Sequence, residues 1–181
     1  MQWKQGTAVL EVIQGDIAAQ PDIDVVVNAA NAQLETGGGV AGALHRAAGP
    51  ELAEAGRSYA PVQPGEAVMT DAFSLPNKAV VHCLGPVYGR DEPSDVLLAS
   101  CYSGALRLAD KEGYTSIAFP ALSTGAFGYP LEEAIHAAVP TVLEALRSLE
   151  HVTFVRFVLF SNSDKDAYIR ELEFQIGPGS E

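Results

Sequence analysis

The segment Ile23–Ala29 (IDVVVNA) restricts the fold of this chain more than any other feature, because it contains a continuous apolar run bounded by aspartate and asparagine. A strand that is apolar on both of its sides must be covered on both sides, and the pattern is typical of a buried, parallel strand. Parallel strands need crossover connections, which are usually helices. The segment therefore predicts an α/β sheet with helices on both faces.

Strand and helix patterns alternate along the rest of the chain. Five further apolar or alternating segments predict strands: Thr7–Gln14, Glu66–Asp71, Ala79–Leu84, Thr115–Phe119 and Val152–Phe160. Four segments predict helices: Val40–Ala48, Ser94–Lys111, Leu131–Leu149 and Asp164–Phe174. Pro140 should kink or break the third of these helices. The predicted fold class is α/β, with a mixed, largely parallel central sheet.

Size and charge limit the partners. The length of 181 residues predicts a single domain over residues 1–181. The net charge of −12 repels phosphate backbones, which argues against duplex nucleic acid. The charge does not exclude a small anionic ligand, because backbone N–H groups can hold phosphate without lysine or arginine. No apolar run reaches the ~18 residues of a membrane span. We expect a cytoplasmic monomer with no membrane partner, cofactor or metal.

The glycine triplet Gly37–Gly39 comes directly before the predicted helix Val40–Ala48. Glycine lets the backbone approach a ligand closely, and the helix start supplies free N–H groups and the positive end of the helix dipole. A diphosphate can lie there, although a triplet can equally serve only to reverse the chain. The loop is not a Walker A motif, because no Lys-Ser/Thr pair follows it.

A second loop of small residues, Ser123–Gly128, follows the predicted strand Thr115–Phe119. Two such loops on separate strands can hold one diphosphate from both sides. Phe127 interrupts the small residues. Its ring is either an anchor in the core or a lid on a bound ring, and the sequence leaves both interpretations open.

Polar residues stand where predicted strands end, which is where open α/β sheets bind ligands. Asp16 can accept a hydrogen bond from an exocyclic amine, or it can cap a turn. Asn28 and Asn31 can bond ribose hydroxyls, or they can form Asx turns. His45, in the helix after the triplet, is expected to be solvated, and neither it nor His82 is given a role.

Five ordered motifs closely resemble those of the macrodomain family, nearest to its MacroD-type branch. They are GDI (15–17), VVNAAN (26–31), GGGVAGALHRAAGP (37–50), VHCLGP (81–86) and FPALSTGAFGYP (119–130). The resemblance runs from about residue 11 to about residue 168. It implies a three-layer α/β/α fold, and it implies ADP-ribose or an ADP-ribosylated protein as the partner.

The resemblance also implies roles for individual residues. Asp16 would receive the adenine amine, Ile17 would line the adenine pocket and Phe160 would pack on the adenine face. Asn31 would contact the distal ribose, with Phe127 beside it. Backbone N–H groups would hold the diphosphate, from Gly37, Gly38, Gly39 and Val40 and from Ser123, Thr124, Gly125, Ala126 and Phe127. Asn28 completes the set of expected ligand-binding residues.

One position departs from the family pattern. Hydrolytic MacroD-type members carry an aspartate two residues after the triplet, where this chain has Ala41. The leading hypothesis is an ADP-ribose-binding hydrolase that removes mono-ADP-ribose from acidic side chains or deacetylates O-acetyl-ADP-ribose, with Asn31 and Phe127 as positioning residues. The alternatives are a non-catalytic module that recognises ADP-ribosylated proteins and a phosphatase acting on ADP-ribose 1″-phosphate.

Overall fold

The structure, a computed structural model, describes all 181 residues. Seven strands occur along the chain: β1 (Gln2–Gln5), β2 (Ala8–Gln14), β3 (Val25–Ala29), β4 (Ala67–Asp71), β5 (Ala79–Cys83), β6 (Ser116–Phe119) and β7 (Phe154–Leu159). Five helices connect or follow them: α1 (Gly39–Ala48), α2 (Glu51–Gly56), α3 (Ser94–Lys111), α4 (Leu131–Leu146) and α5 (Asn162–Ile176). No helix combines the length and the apolar character needed to cross a membrane.

All seven strands form one sheet in the order β1-β2-β7-β6-β3-β5-β4. The five inner strands, from β2 to β5 in this order, are parallel. The edge strands β1 and β4 pair antiparallel with their neighbours. The prediction of a mixed, largely parallel sheet is confirmed, and the carboxyl ends of five strands lie along one edge.

The sheet is covered on both faces, which makes three layers. A large apolar cluster joins one face to α3, α4 and α5, and a smaller cluster joins the other face to α1 and α2. Strand β3 shows why its sequence begins with three consecutive valines. Val25 and Val27 belong to the large cluster, whereas Val26 belongs to the small one. The predicted α/β/α architecture is therefore confirmed.

Three elements differ from expectation. The edge strand β1 and the short helix α2 were not predicted, because a four-residue polar strand and a six-residue helix carry too little periodic signal. Helix α4 runs through Pro140, so the predicted break is wrong. The buried side chains of Val139 and Val142 flank the proline, and their packing on the core keeps the helix continuous.

Candidate functional site

The carboxyl ends of the parallel strands bring the predicted site residues to one edge of the sheet. Asp16 follows β2, Phe160 follows β7, the loop starting at Ser123 follows β6, and Asn31 follows β3. These four strands are consecutive neighbours in the sheet. Three strand spacings give an edge of about 14 Å. Such an edge suits an elongated ligand more than a compact one.

The end of the edge formed by β2 and β7 presents an acceptor and an exposed ring. Gly15 N donates to Leu159 O over 3.0 Å, which joins the two strand ends. Asp16 is exposed; its Oδ1 accepts from Ala18 N at 2.9 Å, and its Oδ2 bonds to no protein donor. The ring of Phe160 is 92% exposed, so its faces are free to stack. Asp16 therefore caps a turn and still keeps one free carboxylate oxygen.

Ile17 is buried against the sheet, next to this acceptor. It belongs to the smaller apolar cluster, which also contains Val158 of β7. The turn after β2 is thus anchored by an apolar side chain while its carboxylate remains exposed.

The end of the edge after β3 brings together Asn31, Gly37 and Ala41. The Asn31 amide bonds the backbone of Glu35 in both directions, each over 3.0 Å, and so closes a loop that is two residues wider than an Asx turn. Its second N–H remains available for another acceptor. A Cβ placed on Gly37 would lie 3.6 Å from Asn31 Nδ2 and 3.8 Å from Ala41 Cβ. Position 41 is therefore close to the Asn31 amide.

Helix α1 begins without a side-chain cap. Gly38 is the N-cap, and Gly39 has a left-handed φ of 55°, a conformation that favours glycine. The N–H groups of residues 37–41 donate to no protein acceptor, and no acidic residue lies in the first turn. Free donors at the positive end of a helix dipole form an anion-binding arrangement.

The loop at residues 123–127 offers a second row of free backbone donors. None of its N–H groups donates to a protein acceptor. The loop is held through its carbonyls instead, because Tyr129 N donates to Ser123 O and Tyr88 N donates to Phe127 O, each over 2.9 Å. Its donors are thus left for a ligand while its shape is fixed.

Phe127 is half-buried and packs against the small apolar cluster of Ala30, Leu34, Val62 and Leu84. Of the two interpretations left open by the sequence, the structure favours the core anchor. The ring still lies in the loop beside the end of β3. It can therefore form one wall of the groove, defined as the space along this edge of the sheet between the loops at residues 37–41 and 123–127.

A row of buried polar side chains joins β3, β5 and β4, and the sequence analysis did not predict it. Asn28 is fully buried, and its Nδ2 lies 3.1 Å from His82 Nδ1. His82 Nε2 lies 2.9 Å from Thr70 Oγ1. His45 is also buried, so the expectation that it is solvated is wrong. It lies on the face of α1 that packs on the sheet. Only the pairing of β3 with β5, which sets Asn28 opposite His82, would have revealed this row of polar side chains.

We expect acid to destabilise the protein through His82. Burial, and then the nearby His45, lowers the pKa of His82 from 6.5 to about 4. The unfolded state then binds more protons than the folded state between these values, so stability falls as the pH drops through that window. Urea unfolding should show that the parent loses about 2 kcal/mol more than His82→Gln between pH 7 and pH 5. Equal losses would mean that His82 titrates normally when folded.

Comparisons with known proteins agree with this geometry. A sequence profile described as Macro domain matches residues 27–138. An O-acetyl-ADP-ribose deacetylase of Klebsiella pneumoniae is 47% identical over 167 residues, covering 90% of this chain and 95% of that protein. An Oceanobacillus iheyensis macrodomain with ADP is 38% identical, with a TM-score of 0.92, over 97% of this chain and 96% of that one. A Trypanosoma brucei macrodomain in complex with ADP-ribose is 34% identical, with a TM-score of 0.82, over 88% of this chain and 67% of that one.

Proposed function

The chain belongs to the Macro domain family, and from this premise we propose that it binds ADP-ribose along the groove and hydrolyses ADP-ribose esters. The observation that carries the proposal is the pair of loops, 37–41 and 123–127, whose backbone N–H groups have no protein acceptor. They follow the neighbouring strands β3 and β6, and the diphosphate of an extended ADP-ribose would lie between them. Backbone donors also explain how a chain of net charge −12 can hold an anion.

The adenine would lie at the end formed by β2 and β7. The free Oδ2 of Asp16 accepts a hydrogen bond from the exocyclic amine, and the exposed ring of Phe160 stacks on the base. Ile17 supplies the apolar floor of this end. The distal ribose would then lie at the opposite end, between Asn31 and Phe127.

Hydrolysis requires water to attack the ester carbonyl at that opposite end. The acyl–oxygen bond breaks, and the products are a carboxylic acid and ADP-ribose with a free hydroxyl. Asn31 keeps one N–H with which to hold the water or the ribose, and the loop donors stabilise developing negative charge. Because Ala41 supplies no general base, we propose a slow enzyme; such a base contributes typically ~10²–10⁴-fold.

The buried methyl group at position 41 also favours a second candidate, a non-catalytic module that recognises ADP-ribosylated proteins. Product analysis separates the candidates. The protein is incubated with O-acetyl-ADP-ribose, with a Glu-ADP-ribosylated protein and with ADP-ribose 1″-phosphate. Acetate or ADP-ribose release supports the esterase, and phosphate release supports the phosphatase. Binding of ADP-ribose without any product supports the binding module. Failure to bind ADP-ribose at millimolar concentration would overturn the proposal.

Asp16→Ala should weaken ADP-ribose binding by roughly 10- to 100-fold, because it removes one charge-assisted hydrogen bond of about 1.5–3 kcal/mol. Isothermal titration calorimetry measures the change. Asp166→Ala, which alters an exposed aspartate on α5, is the matched control and should bind like the parent. Unchanged affinity in Asp16→Ala would leave Asp16 with its turn-capping role alone.

A further inference from the structure

Arg156, in the middle of β7, holds several polar partners although its side chain is only 11% exposed. Its Nε donates to Glu11 Oε1 over 2.6 Å. Its Nη1 and Nη2 donate to the two carboxylate oxygens of Asp22, each over 2.8 Å. Nη1 also donates to Gln20 Oε1 over 2.9 Å. One guanidinium thus holds residues 20 and 22 of the loop that follows β2.

Gln20 connects Arg156 to the turn that carries Asp16. Its side chain is almost completely buried, and its Nε2 donates to the Asp16 carbonyl over 2.8 Å. Asn77 Nδ2 donates to the Gln20 carbonyl over 2.7 Å, which fixes the backbone at this point. Both ends of the Gln20 amide are therefore engaged, one with Arg156 and the other with Asp16.

We propose that Gln20 and Arg156 are positioning residues that make the adenine end of the groove selective for a base carrying an exocyclic amino group. The inference rests on the proposed binding of ADP-ribose. Without Gln20, the Asp16 carbonyl keeps only its bond from Ala19 N, and the turn that carries the carboxylate is held less firmly.

A carboxylate in a fixed position distinguishes two closely related bases. Adenine presents an amino group, which donates to Asp16. Hypoxanthine presents a carbonyl oxygen at the same position, which Asp16 repels. Selectivity of this kind depends on unfavourable contact with the wrong base as well as on favourable contact with the right one. A loosely held carboxylate can turn away from the oxygen, so the discrimination falls.

The test compares the dissociation constants of ADP-ribose and inosine diphosphate ribose for the parent and for Gln20→Leu. Leucine has a side chain of similar size but no polar atoms, so it removes both hydrogen bonds. The parent should prefer ADP-ribose by about 10- to 100-fold, the range expected of one charge-assisted hydrogen bond. The preference should fall below about 3-fold in Gln20→Leu. Affinity for ribose 5-phosphate, which lacks a base, should stay unchanged.

Two further variants test the route of the effect. Gln20→Glu keeps an acceptor for Arg156 but loses the donor to the Asp16 carbonyl, so it should lose the preference as well. Adding Gln20→Leu to Asp16→Ala should cause no further loss of preference, because the two residues act through one interaction. Gln175→Leu, at an exposed glutamine of α5, is the control and should keep the parental preference.

Each outcome has one meaning. Gln20→Leu or Gln20→Glu that folds and keeps the parental preference overturns the inference, even if its melting temperature is lower. A parent that binds both nucleotides equally also overturns it, while leaving ADP-ribose binding intact. A parent that does not bind ADP-ribose refutes the proposed function instead. If Gln20→Leu does not fold, the result for Gln20→Glu decides.

Discussion

Replacing Ala41 by aspartate is expected to raise the rate of ADP-ribose ester hydrolysis by about 10²–10⁴-fold. The Ala41 methyl group and the Asn31 amide both lie beside Gly37, so the new carboxylate would stand at the end of the groove assigned to the distal ribose. There it can accept a proton from the attacking water. Ala41 is 5% exposed, but the free N–H groups of the first helical turn favour a negative charge. The variant is therefore expected to fold.

The measurement is the release of ADP-ribose from a Glu-modified protein, and of acetate from O-acetyl-ADP-ribose, at equal protein concentrations. Ala41→Asn is the matched control, because asparagine has the shape of aspartate without a basic carboxylate, and its rate should stay at the parental level. If Ala41→Asp binds ADP-ribose like the parent and hydrolyses no faster, position 41 does not lie beside the reacting carbon.

Gly42→Ala should lower the affinity for ADP-ribose by about 100-fold, since the loss of one hydrogen bond to a charged group costs about 1.5–3 kcal/mol. A Cβ on Gly42 would lie 2.5 Å from the carbonyl oxygen of Gly37, which is backbone, so the glycine loop has to move. The donors proposed for the diphosphate move with it. Alanine also removes the penalty of about 1 kcal/mol that glycine carries inside a helix. This gain offsets the cost of moving the loop, so the free energy of unfolding should change little. Calorimetry and urea unfolding measure the two quantities.

Gly104→Ala, in α3, is the control for this substitution. Its Cβ would lie 3.4 Å from Ala67 Cβ, an ordinary contact on the other side of the sheet. It should bind ADP-ribose like the parent and be more stable by about 0.5–1 kcal/mol. Parental affinity in Gly42→Ala would mean that the loop at 37–41 does not hold the diphosphate.

The sequence predicted those parts of the fold that leave a local pattern. Strand β3 was predictable because burial on both faces requires an unbroken apolar run. Helix α3 was predicted with its observed bounds, Ser94–Lys111, because one side of it is buried along its whole length. The two glycine loops were recognisable because close backbone approach and left-handed φ angles restrict the residue type. The individual ligand contacts remain predictions.

Other features depend on strand pairing and were therefore not predictable. His82 has no local signal, because its burial and its contact with Asn28 depend on the register of β3 against β5. Arg156 looks like an ordinary polar residue within a strand pattern, yet its partner Glu11 is 145 positions away in the chain. The role proposed for Gln20 likewise follows only from these long-range contacts.

The last of the seven strands along this sequence occupies an inner place in the sheet. Strand β7 lies between β2 and β6, and the hairpin of β1 and β2 pairs with the rest of the sheet only through it. A chain emerging from the ribosome can pair β3, β5 and β6 early, whereas its first hairpin has to wait for β7. Closing such a long loop is slow. The end of the groove that combines Asp16 with Phe160 is thus completed last, so tight nucleotide binding would report that folding is finished.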